Sequence, residues 1–240
     1  MKYTVFFMLC AIGCSTKINP EEITRASILA HGLNHLDSKK VSFDFRDKRY
    51  SLDRSEEDYF YTRSFDDSVG FVEDVLINSK DFTRIVDGDT MQVGRELAVK
   101  YANSVNSVLY FVQLPLTLTD PAAIKTYQGS VEIKGKTYHQ LEVRFSEKDG
   151  GNDFEDVFLY WFEQETKTLD YLAYSYLTDG GGVRFREAIN RRTIENIVFQ
   201  DYINYKPAKK TTSLSDMLDL YKKDKLMELS RIENRDVLVN

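Results

Sequence analysis

The chain has 240 residues, a formal net charge of -6 and 13% aromatic residues, among them 15 Tyr and 15 Phe. Basic and acidic residues are interspersed, and no basic patch with interleaved aromatic side chains occurs, which argues against nucleic acid as a partner. The length suits one domain of good size, and no linker rich in proline, glycine or serine divides it. The many aromatic residues favour β-sheet.

The first residues resemble a bacterial lipoprotein signal peptide with its lipobox. Lys2 precedes the apolar run Tyr3–Ile12, and Gly13 leads into Cys14. A bilayer-spanning helix needs about 20 apolar residues, whereas a run of this length suits the hydrophobic region of a signal peptide. We therefore expect residues 1–13 to be removed and Cys14 to carry the lipid that anchors the protein to a membrane. Ordinary secretion with cleavage before Cys14 is the alternative.

The two cysteines have consequences for chemistry and location. Cys10 leaves with the signal peptide and Cys14 is acylated, so no thiol remains for a disulfide, a metal site or a nucleophile. Ser15 and Thr16 follow Cys14, without the aspartate that indicates inner-membrane retention and without an acidic run that indicates surface export. We expect a protein of the cell envelope, attached to the outer membrane and facing the periplasm.

After a lipidated tether over residues 14–18, the predicted single domain covers residues 19–240. The first helix begins with Asn19 as cap, Pro20 in the first turn and Glu22 at capping-box spacing, and it runs to about Leu36. Its apolar residues recur at helical spacing. They are Ile23, Ala26, Ala30 and Leu33.

His31 and His35 are four residues apart on this helix and therefore share a face. A pair of histidines at this spacing can bind a metal, but no His-Glu-x-x-His motif occurs and His139 is distant in the sequence. We favour polar helix surface for both histidines, and we expect neither a metal nor a cofactor.

A long β region follows the first helix. Val41–Phe45 alternates strictly between apolar and polar residues, and Asp87-Gly88 is a strong hairpin signal. The predicted strands are Val41–Phe45, Tyr50–Asp53, Tyr59–Phe65, Val69–Ile77, Phe82–Val86 and Thr90–Val93.

The second half repeats this order. Leu97–Phe111 has helical spacing, and Leu114-Pro115 ends that helix. The strands predicted next are Ser130–Ile133, Tyr138–Phe145, Val157–Glu163, Leu169–Leu177, Val183–Asn190 and Thr193–Tyr205. Ser213 and Asp216 form a second capping box that starts a C-terminal helix. Its apolar stripe to the end is Leu214, Met217, Leu218, Tyr221, Leu229 and Ile232.

The element order is thus helix, sheet, helix, sheet, helix. Because the strands form consecutive hairpins without a βαβ pattern, we predict the α+β class, with an antiparallel sheet and helices on one side.

The strand Val157–Phe162 is apolar on both faces, and Leu169–Leu177 is similar. Such a strand lies either at the centre of a sandwich or against a cavity. Only one alternating set of the first strand can face a cavity, and periodicity does not assign which. The two sets are Val157, Leu159, Trp161 and Phe158, Tyr160, Phe162. The candidate residues of an apolar pocket are Tyr110, Phe111, Phe158, Tyr160, Trp161, Leu172 and Tyr174.

A cluster of charges follows the loop Gly180–Gly182. Arg184 and Arg186 share a strand face with Ala188, opposite Phe185 and Glu187. This pair could clamp an anionic head group, or it could belong to a solvated outer face with weak ion pairs. The charge pattern favours the outer face. Arg191 and Arg192 complete the cluster, and Asp156, Asp170 and Asp201 are potential partners.

Several short motifs are similar to those of a Bacteroidota-type lipoprotein family, a domain of unknown function. They lie within residues 20–206. The motifs are Phe43-Asp44-Phe45-Arg46, Tyr59-Phe60-Tyr61-Thr62-Arg63, Val105-Asn106-Ser107-Val108-Leu109-Tyr110-Phe111, Leu114-Pro115, Tyr160-Trp161, Asp170-Tyr171-Leu172-Ala173-Tyr174, Arg184-Phe185-Arg186-Glu187-Ala188-Ile189-Asn190 and Asp201-Tyr202-Ile203-Asn204-Tyr205.

The element order also resembles that of the lipoprotein-localisation (Lol) carriers and acceptors. This resemblance implies a strongly curved antiparallel sheet, a half-open β-barrel, covered by the N-terminal, middle and C-terminal helices, with acyl chains held between them. The function it implies is non-enzymatic binding of a lipid, an acyl chain or another apolar ligand.

Two other functions remain open at this point. One is a structural or protein-interaction lipoprotein with a filled core. The other is a hydrolase, although neither a Gly-x-Ser-x-Gly elbow nor a phosphate-binding glycine-rich loop occurs in the sequence.

Overall fold

The computed structural model describes residues 18–54, 58–146, 155–177 and 180–240. Within these ranges the chain forms two seven-stranded antiparallel sheets and three α-helices, and the sheets do not close into a barrel. The predicted α+β class is confirmed. The predicted signal peptide 1–13 and Cys14 lie outside the described residues. No helix in the described ranges has the length and apolar character needed to cross a membrane.

The first sheet contains the strands of the N-terminal β region and one strand from the other end of the chain. In the order in which they pair, the strands are β14-β1-β2-β3-β4-β5-β6. Their bounds are β1 Lys40–Phe45, β2 Lys48–Asp53, β3 Phe60–Asp67, β4 Gly70–Ile77, β5 Asp81–Val86, β6 Asp89–Met91 and β14 Arg235–Val239. Val41 and Phe43 are fully buried, as strict alternation in β1 predicts.

The second sheet is a meander with the pairing order β13-β12-β11-β10-β9-β8-β7. Its strands are β7 Ala123–Ile133, β8 Lys136–Phe145, β9 Val157–Glu163, β10 Leu169–Tyr176, β11 Gly182–Ile194, β12 Ile197–Lys206 and β13 Met227–Ile232.

The helices cover these sheets. They are α1 Pro20–Ala30, α2 Arg95–Val112 and α3 Met217–Lys222. Asn19 caps α1, because its side chain accepts a hydrogen bond from the backbone N–H of Glu21 at 3.0 Å. A one-turn 3-10 helix, Leu33–His35, follows α1. Val105 and Leu109 of α2 are fully buried and pack on the core of the first sheet.

Two predictions about the C-terminal half are wrong in detail. The apolar stripe does not continue as one helix, because α3 ends at Lys222 and Asp224 adopts a left-handed φ of 52°. Leu229 and Ile232 lie in strand β13 instead. The turn between β11 and β12 lies at Glu195-Asn196, both with left-handed φ, as a two-residue hairpin turn requires. Arg191 and Arg192, which fall between the predicted strands Val183–Asn190 and Thr193–Tyr205, therefore belong to strand β11.

The segment after α1 joins the two sheets. The backbone carbonyl of His31 accepts a hydrogen bond from the N–H of Val198 in β12 at 2.8 Å. Gly32 has a φ of 65°, and a Cβ there would lie 1.8 Å from the carbonyl oxygen of Asn196. Leu36 and Ile197 belong to the same buried cluster as the first sheet. This contact fixes the position of the second sheet relative to α1 and the first sheet.

Candidate ligand cavity

Strand β9 has a different covering on each face. Phe158, Tyr160 and Phe162 belong to a buried cluster with Leu172 of β10, against which Tyr110 and Phe111 of α2 pack. Leu159 and Trp161 point to the other face and belong to a cluster with residues of α3. The apolar character of both faces therefore reflects α2 on one side and α3 on the other.

An open cavity of about 1500 Å³ lies where α2 faces the two sheets. Tyr61 and Leu76 line it from the first sheet, Phe111 from α2, and Phe158 and Tyr174 from the second sheet. Small-molecule pockets usually measure about 300–1,000 Å³ and are mostly apolar with a few polar groups. The cavity is therefore large enough for an extended apolar ligand.

The wall formed by α2, β9 and β10 is a layer of packed rings. The ring centroids of Phe158 and Tyr174 are 5.6 Å apart in a stacked arrangement, and those of Phe111 and Tyr174 are 5.5 Å apart. Tyr110 packs on Phe158 with a centroid distance of 6.2 Å. Such pairs contribute about 0.5–1.5 kcal/mol each beyond the area they bury. This layer, hereafter the aromatic wall, consists of Tyr110, Phe111, Phe158 and Tyr174.

Two phenols, that of Tyr110 in this wall and that of Tyr160 behind it, are neutral at physiological pH. The hydroxyls of Tyr110 and Tyr160 share a hydrogen bond, with 3.2 Å between the oxygens. Burial raises the pKa of Tyr110 to about 12 and raises that of Tyr160 well above its ordinary value. The aromatic wall therefore presents an uncharged surface.

The structure separates the seven candidate pocket residues into three groups. Tyr110, Phe111, Phe158 and Tyr174 line the cavity. Tyr160 and Leu172 are fully buried on the same face and do not contact it directly. The structure contradicts the choice of Trp161, which is fully buried on the opposite face and packs on Phe185 with a centroid distance of 5.6 Å. Alternation alone did not show which set of β9 faces the cavity.

Arg184 and Arg186 lie on the inner face of the second sheet and line the cavity. The favoured interpretation of this face as a solvated outer surface is therefore wrong. Arg191 and Arg192 do form ion pairs with two of the predicted partners. Arg191 lies 2.7 Å from Asp170, and Arg192 lies 3.1 Å from Asp201.

Sequence reasoning missed the polar part of the cavity lining. Asn204 of β12 and Ser230 of β13 line the cavity, and they are cross-strand neighbours of each other. The alternation in Asp201–Tyr205 places Asn204 on the same face as Tyr202, so the sequence alone could have indicated the position of Asn204. Ser230 could not be found, because its segment was predicted as helix.

The two histidines of the first helix have different surroundings. His31 is buried, and its Nε2 accepts a hydrogen bond from the backbone N–H of Leu169 at 3.1 Å. His35 is exposed beside Asn34. Within the described ranges, no group of three or more His, Cys, Asp or Glu side chains is arranged to hold a metal ion.

Comparisons with known proteins agree with this fold. The family DUF6503, a family of unknown function, matches residues 2–234. No curated protein matches the chain. A DUF1329 family protein from Desulfovibrio piger is similar in structure, with a TM-score of 0.55 and 9% identity over 91% of this chain and 92% of that one. A LolA superfamily protein from Nitrosomonas europaea has a TM-score of 0.53 and 11% identity over 92% and 93% of the two chains. These likenesses show a common open-barrel α+β fold.

Proposed function

We propose that this chain, which belongs to the DUF6503 family, is a non-enzymatic, lipid-anchored carrier of the cell envelope. It binds an acyl chain or another apolar ligand in the cavity between α2 and the two sheets. One observation carries the proposal. The cavity measures about 1500 Å³ and has the uncharged aromatic wall on one side.

The energetics favour a flexible apolar ligand over a compact polar one. Removing apolar surface from water contributes about 25 cal/mol per Å², or about 0.8 kcal/mol for each methylene group that is buried. Stacked rings such as Phe158 and Tyr174 offer a rigid surface that loses little side-chain entropy on binding. An extended hydrocarbon chain along this wall would therefore bind without any specific polar contact.

The anchor is the second part of the proposal. Cys14 follows a segment that resembles a lipoprotein signal peptide, and two or more acyl chains buried in a bilayer give stable anchoring. In an envelope of the Bacteroidota type, which the motif resemblance implies, the protein would sit on the outer membrane and face the periplasm. The LolA superfamily protein of Nitrosomonas europaea has the same fold, which supports a carrier role by analogy of architecture alone.

A structural or protein-interaction lipoprotein is the second candidate. Tyr160, Phe162 and Leu172 are almost fully buried on the inner face of the second sheet, so part of that face is packed core. If the cavity next to the aromatic wall binds no ligand, the structural or protein-interaction function replaces the carrier function. A hydrolase of unknown substrate is the third candidate.

The test is binding of a neutral apolar fluorophore, 1-N-phenylnaphthylamine, to the full chain with Cys14→Ser, which cannot be acylated. We expect saturable fluorescence enhancement that dodecanoate reverses. Ser107 lies on α2, one turn before Phe111, and lines the cavity. Ser107→Trp should place an indole in the cavity and lower the affinity for the fluorophore at least about tenfold, since it removes the space for the ligand.

Ser215→Trp is the matched control. Ser215 is exposed and lies just before α3, outside the residues that line the cavity. The control should bind the fluorophore as the parent chain does. Absence of saturable binding in the parent chain, or equal loss in both variants, would contradict the carrier proposal.

A further inference from the structure

Arg186 is a buried cation at the edge of the aromatic wall. Its side chain lies on the inner face of β11, and the residue is only 8% exposed. Its Nη2 donates a hydrogen bond to the hydroxyl of Tyr174 at 2.9 Å. Its Nε is buried and has no hydrogen-bond partner in the described ranges. Among the described residues, no carboxylate forms an ion pair with it.

An arginine in this state is costly for the folded protein. Burying a charge is expensive unless the charge is paired, and each buried donor without an acceptor adds to the cost. A guanidinium presents its donors as a planar fork that matches a carboxylate or phosphate group. The unpaired Nε therefore indicates an acceptor that the described part of the chain does not supply.

The aromatic wall holds the guanidinium in place. Its central carbon lies 3.8 Å from the ring centroid of Phe111 and 5.2 Å from that of Tyr174. Both rings belong to the wall along which an apolar chain would lie. A cation stacked on an aromatic face is oriented by the ring and keeps its edge available for hydrogen bonds.

Polar groups continue from Arg186 along one row of the sheet. Asn204 is its cross-strand neighbour, and Ser230 is the next residue in the row. Asn204 is 8% exposed, and no described residue forms a hydrogen bond with its Oδ1. On the other side of Arg186 the row continues with Leu172. The inner face thus changes from apolar to polar at Arg186.

The charge of the cavity agrees with this arrangement. The chain as a whole carries a net charge of -6. The described lining nevertheless contains more basic than acidic side chains, and a cleft with an excess of one sign attracts ligands of the opposite sign. The basic residues of the lining are Arg46, Arg54, Lys80, Arg184 and Arg186.

We propose that Arg186 binds the oxyacid head group of an anionic single-chain amphiphile, whose hydrocarbon chain lies on the aromatic wall. The inference rests on the proposed carrier function and specifies its ligand class. A carboxylate or a phosphate head accepts hydrogen bonds from the guanidinium. The amide of Asn204 can donate to either head group, because rotation of the amide exchanges its donor and its acceptor and so turns Nδ2 to the place that Oδ1 now occupies.

The experiment compares ligands that differ in the head group alone. Dodecanoate, dodecyl phosphate and dodecanol each displace 1-N-phenylnaphthylamine from the full chain with Cys14→Ser at pH 7.5. Sodium acetate and inorganic phosphate represent the two head groups without a hydrocarbon chain. We expect dodecanoate or dodecyl phosphate to bind at least about tenfold more tightly than dodecanol, since hydrogen bonds to charged groups are the stronger ones. The heads without a chain should not displace the fluorophore.

Substitutions then test whether Arg186 causes the preference for an anionic head group. Arg186→Met keeps the length of the side chain and should bring the ratio of the dodecanoate and dodecanol affinities close to one, with dodecanol binding unchanged. Arg186→Lys keeps the charge without the planar fork and should give an intermediate ratio. Arg144→Met removes one positive charge from an exposed pair on β8 with Glu142, and it should leave the ratio unchanged.

The outcomes separate the two proposals. If all three dodecyl ligands bind the parent chain with equal affinity, or if Arg186→Met keeps the preference, the head-group inference fails while the carrier function stands. If none of them displaces the fluorophore, the carrier function fails. If inorganic phosphate alone raises the melting temperature in an Arg186-dependent way, the site takes a free anion and the amphiphile is excluded. If Arg186→Met does not fold, the inference is tested by the ratio of the dodecanoate and dodecanol affinities in the parent chain and in Arg186→Lys. An equal ratio in these two chains contradicts it.

Discussion

Acid should destabilise the folded chain through His31, and the size of the effect follows from the surroundings of its imidazole. His31 is 1% exposed. Its burial, and then the positive charge of Arg191, lower its pKa from 6.5 to about 4, and Asp170 opposes this shift. The ring is therefore neutral in the folded protein, with Nε2 accepting the hydrogen bond from Leu169.

The pKa difference gives the magnitude. Because the pKa of His31 is lower in the folded than in the unfolded chain, the unfolded chain binds more protons as the pH falls below about 6.5. The free energy of unfolding consequently decreases between about pH 6.5 and about pH 4. The loss due to His31 is about 2 kcal/mol at pH 5 and about 3 kcal/mol at pH 4.

Urea unfolding, followed by circular dichroism at several pH values from 7.5 to 5, measures this loss. His31→Gln keeps an acceptor for the N–H of Leu169 but does not titrate. The stability difference between the parent chain and His31→Gln should shift by about 2 kcal/mol in favour of the variant between pH 7.5 and pH 5. His35→Gln, at an exposed ring, should follow the parent chain. Parallel curves for the parent chain and His31→Gln would refute the buried neutral imidazole.

Two further predictions concern the junction after α1 and the anchor. Gly32→Ala should lower the free energy of unfolding by about 3 kcal/mol or more, because the new Cβ meets the carbonyl of Asn196 and the φ is left-handed. Gly135→Ala, which also has a left-handed φ but open space around it, should cost only about 1–2 kcal/mol in urea unfolding, and equal costs would contradict the close contact. Cys14→Ala should move the protein out of the membrane fraction or leave it uncleaved, and an intact, unmodified Cys14 in the membrane fraction by mass spectrometry would exclude lipidation.

Periodicity and turn chemistry predicted most of the secondary structure. The alternation in Val41–Phe45, the Asp87-Gly88 turn and the helical spacing of Leu97–Phe111 each correspond to an observed element. These signals are local, because each depends on a few consecutive residues and on one buried face. The prediction of one helix to the C-terminal end was wrong because it also depended on a local pattern alone. Met217, Leu218 and Tyr221 do form a buried helical face, but the spacing of Leu229 and Ile232 matched that helix by chance.

The lining of the cavity could not be predicted from local sequence patterns. Periodicity shows that Arg184 and Arg186 share a face, yet it does not show whether solvent or another element covers that face. In the same way, β9 is apolar on both faces because α2 and α3 cover it from opposite sides. The placement of Asn204 beside Arg186 depends on the register of two strands. Such register is set by tertiary packing as well as by the turn between the strands.

The pairing of β14 with β1 places a constraint on when the protein can fold. Val41 lies opposite Val239, so the first sheet keeps an open edge along β1 until almost all of the sequence has emerged. Closing such a long loop is slow, and an uncovered strand edge invites pairing with other chains. A chain in which β14 has not yet paired therefore exposes the backbone hydrogen-bonding groups of β1 to other chains.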